Sequence, residues 1–158
     1  MTVPGLLAAL SASEPMARLA ELAGRPATGE TTVVAPHALQ PFVVAALAAP
    51  APLGSGRRLL VITATGREAT DVAESMRAIA PSLRIAELPS WETLPHERLS
   101  PSTDTVGRRI AVFRRLVAPD AADPLLAPID VVVASIRAVA HPNGLDITDT
   151  RCDRLRDG

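Results

Sequence analysis

The chain contains no lysine and no tyrosine; all of its basic residues are arginine. Without lysine there is no Schiff-base nucleophile and no ammonium group to sit on a bound phosphate. Aromatic residues are equally scarce, with Trp91, Phe42 and Phe113 far apart in sequence, so no platform for stacking nucleic-acid bases can be assembled from them. Cysteine occurs once, at Cys152, which excludes an internal disulfide and the cysteine-rich metal modules. The histidines His37, His96 and His141 show no metal-ligand spacing. The net charge of −1 gives no general attraction to nucleic acid or to a membrane surface. Near the amino end the apolar run is too short to span a bilayer and has no basic residue ahead of it, so a cytoplasmic location is expected.

What remains is an ordinary globular composition, with 47% hydrophobic and 21% charged residues in 158, enough for one domain-sized core. Residues 1–28 read as a helical hairpin. Leu6, Leu7 and Leu10, then Met16, Leu19 and Leu22, recur at helical spacing. Between them Ser11 and Glu14 have the spacing of a capping box, Pro15 suits a first turn, and Gly24 suits a helix stop.

From residue 29 to 140 the pattern changes to short apolar runs alternating with helical stretches. Strands are expected at 31–35 (TTVVA), 57–63 (RRLLVIT), 84–88 (RIAEL) and 129–135 (IDVVVAS). The second of these is continuously apolar, as a strand covered on both faces should be. A helix is expected from the first strand to about Ala49. Another follows Thr65, where Thr65 and Glu68 form a capping box and Ala69, Val72, Met76 and Ile79 make one stripe ending at Pro81. A third, from about Thr105 to Val117, would bury Val106, Ile110, Phe113 and Val117 and leave Arg108, Arg109, Arg114 and Arg115 mostly off the stripe. This alternation predicts an α/β fold, a parallel sheet with helices on both faces, in which function is sought at the carboxyl ends of the strands.

Those ends offer little chemistry. The first strand-to-helix turn, Pro36, His37, Ala38, Leu39, Gln40 and Pro41, has none of the glycines, the lysine or the Ser/Thr that a phosphate loop needs. The last expected strand ends in Ala134-Ser135, where an ATPase would carry paired acids. His96, Glu97 and Ser100 adjoin in sequence, but a catalytic triad is a spatial arrangement. Two further readings stay open from the residues alone. One is a small α/β nucleotide-binding protein or enzyme using Thr65, Asp104 or His96; the other is a DNA-binding module acting through the paired arginines at 57–58, 108–109 and 114–115.

One stretch is far more specific. Residues 88–109 carry Trp91, Glu92, Thr93, Leu94 and Pro95, then Ser100-Pro101, Asp104 and Arg108. This run, with the flanking segments 59–77 and 130–139, resembles the amino-terminal part of the bacterial transcription-repair coupling factors, Mfd, over roughly residues 30–140. The resemblance implies a helicase-like α/β domain similar to that of the excision-repair protein UvrB. In such a domain Pro36 to Pro41 would be a decayed phosphate loop, and residues 88–109 a shortened remnant of a DNA-clamping hairpin, with Trp91 as a buried anchor.

It further implies that the chain is non-catalytic and takes no cofactor. UvrA, RNA polymerase, DNA and ATP would be met only through the intact protein, whose other domains are this one's partners. Residues 141–158 do not follow the family pattern and are expected to be the truncated or divergent start of a next domain.

Overall fold

Val131–Ser135, the strand β3, lies at the centre of the molecule with all five residues buried. Three consecutive valines followed by alanine are what a strand covered on both faces requires. It is flanked in a parallel sheet of order β1-β3-β2 by β1 (Leu59–Thr63) and β2 (Ile85–Leu88). Leu59 pairs with Val131 and Thr63 with Ser135 on one side; Ile85 pairs with Val131 and Leu88 with Ala134 on the other. The computed structural model describes residues 3–25, 29–50, 54–91 and 102–140.

The pleat divides β3 between two cores. Val131 and Val133 point to one face, where they pack with Leu59, Val61 and Ile85 against α4 (Gly66–Ile79) and α3 (Gln40–Ala48). Val132 and Ala134 point to the other, joining Ala86 and Leu88 beneath α5 (Thr103–Val117) and α6 (Ile136–Ala140). The expected α/β class, a parallel sheet with helices on both faces, is therefore the observed one.

The helix α4 forms where two local signals coincide. Thr65 Oγ1 accepts from the Glu68 amide while the Glu68 carboxylate accepts from the Thr65 amide, closing the expected capping box. Ala69, Ala73, Met76 and Ile79 then present one buried stripe. Removing the Met76 and Ile79 side chains from water contributes about 1.5–3 kcal/mol each. The amino-terminal helices α1 (Val3–Ser11) and α2 (Glu14–Gly24) both pack on α3, through residues that include Leu7, Met16 and Ala20.

Four expectations are corrected. The segment 31–35 is not a strand: residues 29–36 have no regular structure, and Val34 is 94% exposed. Val33 and Ala35 flank Val61, Ile62 and Thr63 of β1 around a recess of about 270 Å³ but do not ladder with them. β-propensity alone does not make a strand where the side chains meet solvent rather than a neighbour. Second, β1 is covered on one face only; α5 and α6 lie over β2 and β3, leaving Leu60 and Ile62 exposed. Third, Ser11 and Glu14 form no capping box, because α1 continues through Ser11 and the cap of α2 is Ser13, whose hydroxyl donates to the Leu10 carbonyl at 2.7 Å. Pro15 does occupy the first turn of α2.

The fourth concerns α5. Its buried residues are Thr105, Arg109 and Val112, with Phe113 and Leu116 packed beside them. Ile110 and Val117, expected inside, are 51% and 65% exposed. The buried face is therefore rotated by about one residue from the apolar stripe, with an arginine held in its middle by the packing of α5 on β2 and α6.

Candidate functional site

Pro36 to Pro41 stand at the start of α3, where a helix amino terminus would ordinarily offer free N–H groups to an anion. Here a 3-10 turn, His37–Leu39, precedes the helix and engages two of them. The Leu39 amide donates to the Pro36 carbonyl at 2.8 Å, the Gln40 amide donates to the His37 carbonyl, and Pro41 has no N–H. Beside this turn His37, Gln40 and Phe42 share with Asp71, Val72 and Ile79 of α4 a mostly apolar cavity of about 370 Å³. Its one carboxylate, Asp71, disfavours a second anion.

The carboxyl ends of the strands are equally committed. Thr63 Oγ1 donates to the Thr65 carbonyl at 2.8 Å, and Glu68 Oε2 accepts from the Ala64 and Thr65 amides at 3.1 and 3.3 Å. On β2, Glu87 accepts from Thr70 Oγ1 at 2.9 Å. Ser135 is buried and its hydroxyl accepts from the Ala138 amide at 3.2 Å, so it starts α6 rather than facing a ligand.

The most unusual group at this end is Arg109, 1% exposed in the middle of α5. The cap of that helix, Ser102 Oγ, accepts from the Thr105 amide at 3.2 Å and sets its start. Two turns on, Arg109 Nη1 donates to the Pro89 carbonyl at 2.6 Å, and both terminal nitrogens reach the Ala138 carbonyl at 3.4 Å. Its guanidinium carbon lies 4.7 Å from the Trp91 ring centre and 5.5 Å from that of Phe113. Nε is buried without a hydrogen-bond partner among the described residues. Burial pushes the pKa of this group down from its usual value. A delocalised, weakly hydrated guanidinium suits such a place better than an ammonium would, since it stacks on rings and donates in a fixed plane.

Of the sequence-derived signature, the structure brings Trp91, half-buried, onto α5. Asp104 and Arg108 lie on the exposed face of that helix. Glu92, Thr93, Leu94, Pro95, His96, Ser100 and Pro101 lie outside the described residues, as do His141 and Cys152. Arg109 is the residue that sequence reasoning passes over. Its signal is the i, i+4, i+7, i+11 spacing of Thr105, Arg109, Val112 and Leu116, legible only if an arginine is admitted to a core stripe. Among the described residues no cluster of His, Cys, Asp or Glu could hold a metal ion, and no helix is long and apolar enough to cross a membrane.

No protein-family model matches the chain. It is similar to the transcription-repair-coupling factors of Mycobacterium bovis (strain ATCC BAA-935 / AF2122/97) and Mycobacterium tuberculosis (strain CDC 1551 / Oshkosh). It is 44% identical to each over a 156-residue alignment that takes in 90% of this chain. The chain spans 12% of the length of these relatives.

Proposed function

Since this chain belongs with the transcription-repair-coupling factors as a counterpart of one of their segments, we propose that it serves as a non-catalytic scaffold domain of such a protein. On this reading residues 29–140 are the UvrB-like α/β unit and residues 1–28 a helical preface. The longer protein works in the cytoplasm as an ATP-driven DNA translocase that displaces stalled RNA polymerase and recruits UvrA for excision repair. The contribution of this domain is a rigid platform for its neighbours in the same chain.

The observation that carries the reading is the occupied turn at the start of α3. Its Leu39 and Gln40 amides bond the Pro36 and His37 carbonyls, and the next residue is proline. The chain has no lysine to take the place of those donors. At the strand ends the polar side chains are engaged in capping, Glu68 at α4 and Ser135 at α6, and no paired acids follow β3.

The test belongs in the longer protein. With His37→Ala and Gln40→Ala together, its DNA-stimulated ATP turnover is expected to match wild type. A large loss of turnover, with the domain still folded, would show that this turn takes part in nucleotide chemistry.

A further inference from the structure

The opposite end of the sheet, where the strands begin, carries a cleft of about 640 Å³. Its apolar walls include Leu83, Pro128 and Ile129, and its charged residues are Arg57, Arg58, Arg84 and Asp130. Asp130 is fully engaged by Arg84, which donates to it through its amide at 2.8 Å, Nε at 3.1 Å and Nη2 at 3.0 Å. That pairing leaves two positive charges in surplus. Arg58 makes one long bond, 3.5 Å from Nη1 to the Leu116 carbonyl, and no acid among the described residues pairs with either Arg57 or Arg58.

Both arginines are exposed, and the backbone that presents them is held in place. Gly56 takes a left-handed conformation, φ 65°, at the turn into β1. The Arg57 amide donates to Ser55 Oγ at 3.2 Å, and the Ser55 amide donates to the Leu47 carbonyl at 2.9 Å, which ties the turn to α3. Two adjacent guanidinium forks are thus offered at the rim of a recess that Leu83, Pro128 and Ile129 make partly apolar.

We propose that this cleft docks an acidic peptide segment of a partner protein, whose carboxylates pair with Arg57 and Arg58 while its aliphatic parts lie on Leu83 and Pro128. The geometry favours a peptide over nucleic acid. The charge is concentrated at one recess rather than along a stripe, the chain is net negative, and none of the three aromatic side chains lines the cleft to stack a base. Guanidinium forks pair with carboxylates and phosphates alike, but a half-apolar recess adds desolvation that a phosphate backbone does not use.

The experiment measures the anisotropy of a labelled peptide of alternating glutamate and aspartate titrated with the full 158-residue chain at low salt. Saturable binding is expected, weakening as salt is added. The Arg57→Ala, Arg58→Ala variant should bind about tenfold more weakly. An Arg108→Ala, Arg114→Ala control, which removes equal charge from the exposed part of α5, should bind as wild type. Amide shifts on peptide addition should map to Leu83, Arg84 and Ile129. Should the double alanine variant fail to fold, Arg57→Gln alone is read in its place and should still weaken binding severalfold. The proposal is overturned by an absence of saturable binding, by equal losses in the two arginine pairs, or by a DNA duplex that binds more tightly than the peptide through Arg57 and Arg58.

Discussion

The Arg109 guanidinium stacks over the Trp91 ring at 4.7 Å and donates to the carbonyl of Pro89 at 2.6 Å, so one side chain of α5 holds the segment that leaves β2. The same group reaches Ala138 in α6, beyond the end of β3. Three pieces of chain distant in sequence are joined at the carboxyl edge of the sheet by a cation that has no acidic partner among the described residues.

Truncating this cation should be expensive. Arg109→Ala leaves the Pro89 and Ala138 carbonyls short of a donor and opens a void, and is expected to destabilise the chain by about 3 kcal/mol in urea unfolding. Arg109→Lys keeps the charge but loses the planar fork and the stacking, and should still lose about 1–3 kcal/mol. Its exposed neighbour provides the control: Arg108→Ala should stay within about 0.5 kcal/mol of wild type.

The two serine and threonine capping patterns in the sequence behave differently, and mutation should separate them. Thr65→Ala removes a cap whose two reciprocal bonds are both present, and should lower stability by about 1 kcal/mol. Ser11→Ala touches a residue inside α1 with no capping role and should change stability by less than about 0.5 kcal/mol. Equal effects at the two sites would contradict this assignment.

At the other edge, Asp130 links the starts of β2 and β3 through Arg84. Burial pushes its pKa up, but the hydrogen bonds from the Arg84 side chain and amide outweigh that and hold the carboxyl below its ordinary value; the same bond raises Arg84. A depressed folded pKa means that the stabilisation is complete above the unfolded value, about 3.9, and is lost as pH falls through the folded one. Asp130→Asn should therefore lower stability at neutral pH by about 1 kcal/mol or less, since the pair is partly solvated. The gap from wild type should close as the pH is lowered below about 4. A gap that stays constant down to the acid limit would remove the ion pair from the account.

What the sequence makes legible follows from how local the cause is. α4 is readable because its cap and its stripe lie within the helix itself, and β3 because five consecutive buried residues need no partner to be identified as a core strand. The segment 31–35 is misread because strand formation depends on a neighbour, and β1 presents Val61 to Thr63 beside it without forming the ladder. The half-covered face of β1 is hidden for the same reason, since which strands α5 and α6 overlie is a tertiary fact. Arg109 is missed because its burial is made possible by Trp91, Pro89 and Ala138, all at least 18 positions away. At the candidate site, the lack of glycine, lysine, serine and threonine from Pro36 to Pro41 is read from residue types alone. The bonds that the Leu39 and Gln40 amides make within a 3-10 turn need coordinates.

The proposal that this α/β domain serves without nucleotide is put to the test by equilibrium dialysis of the 158-residue chain against labelled ATP with magnesium. No saturable uptake is expected even at about millimolar nucleotide, an affinity weaker than roughly −4 kcal/mol. Saturable binding that is lost on replacing His37 and Gln40 would contradict it.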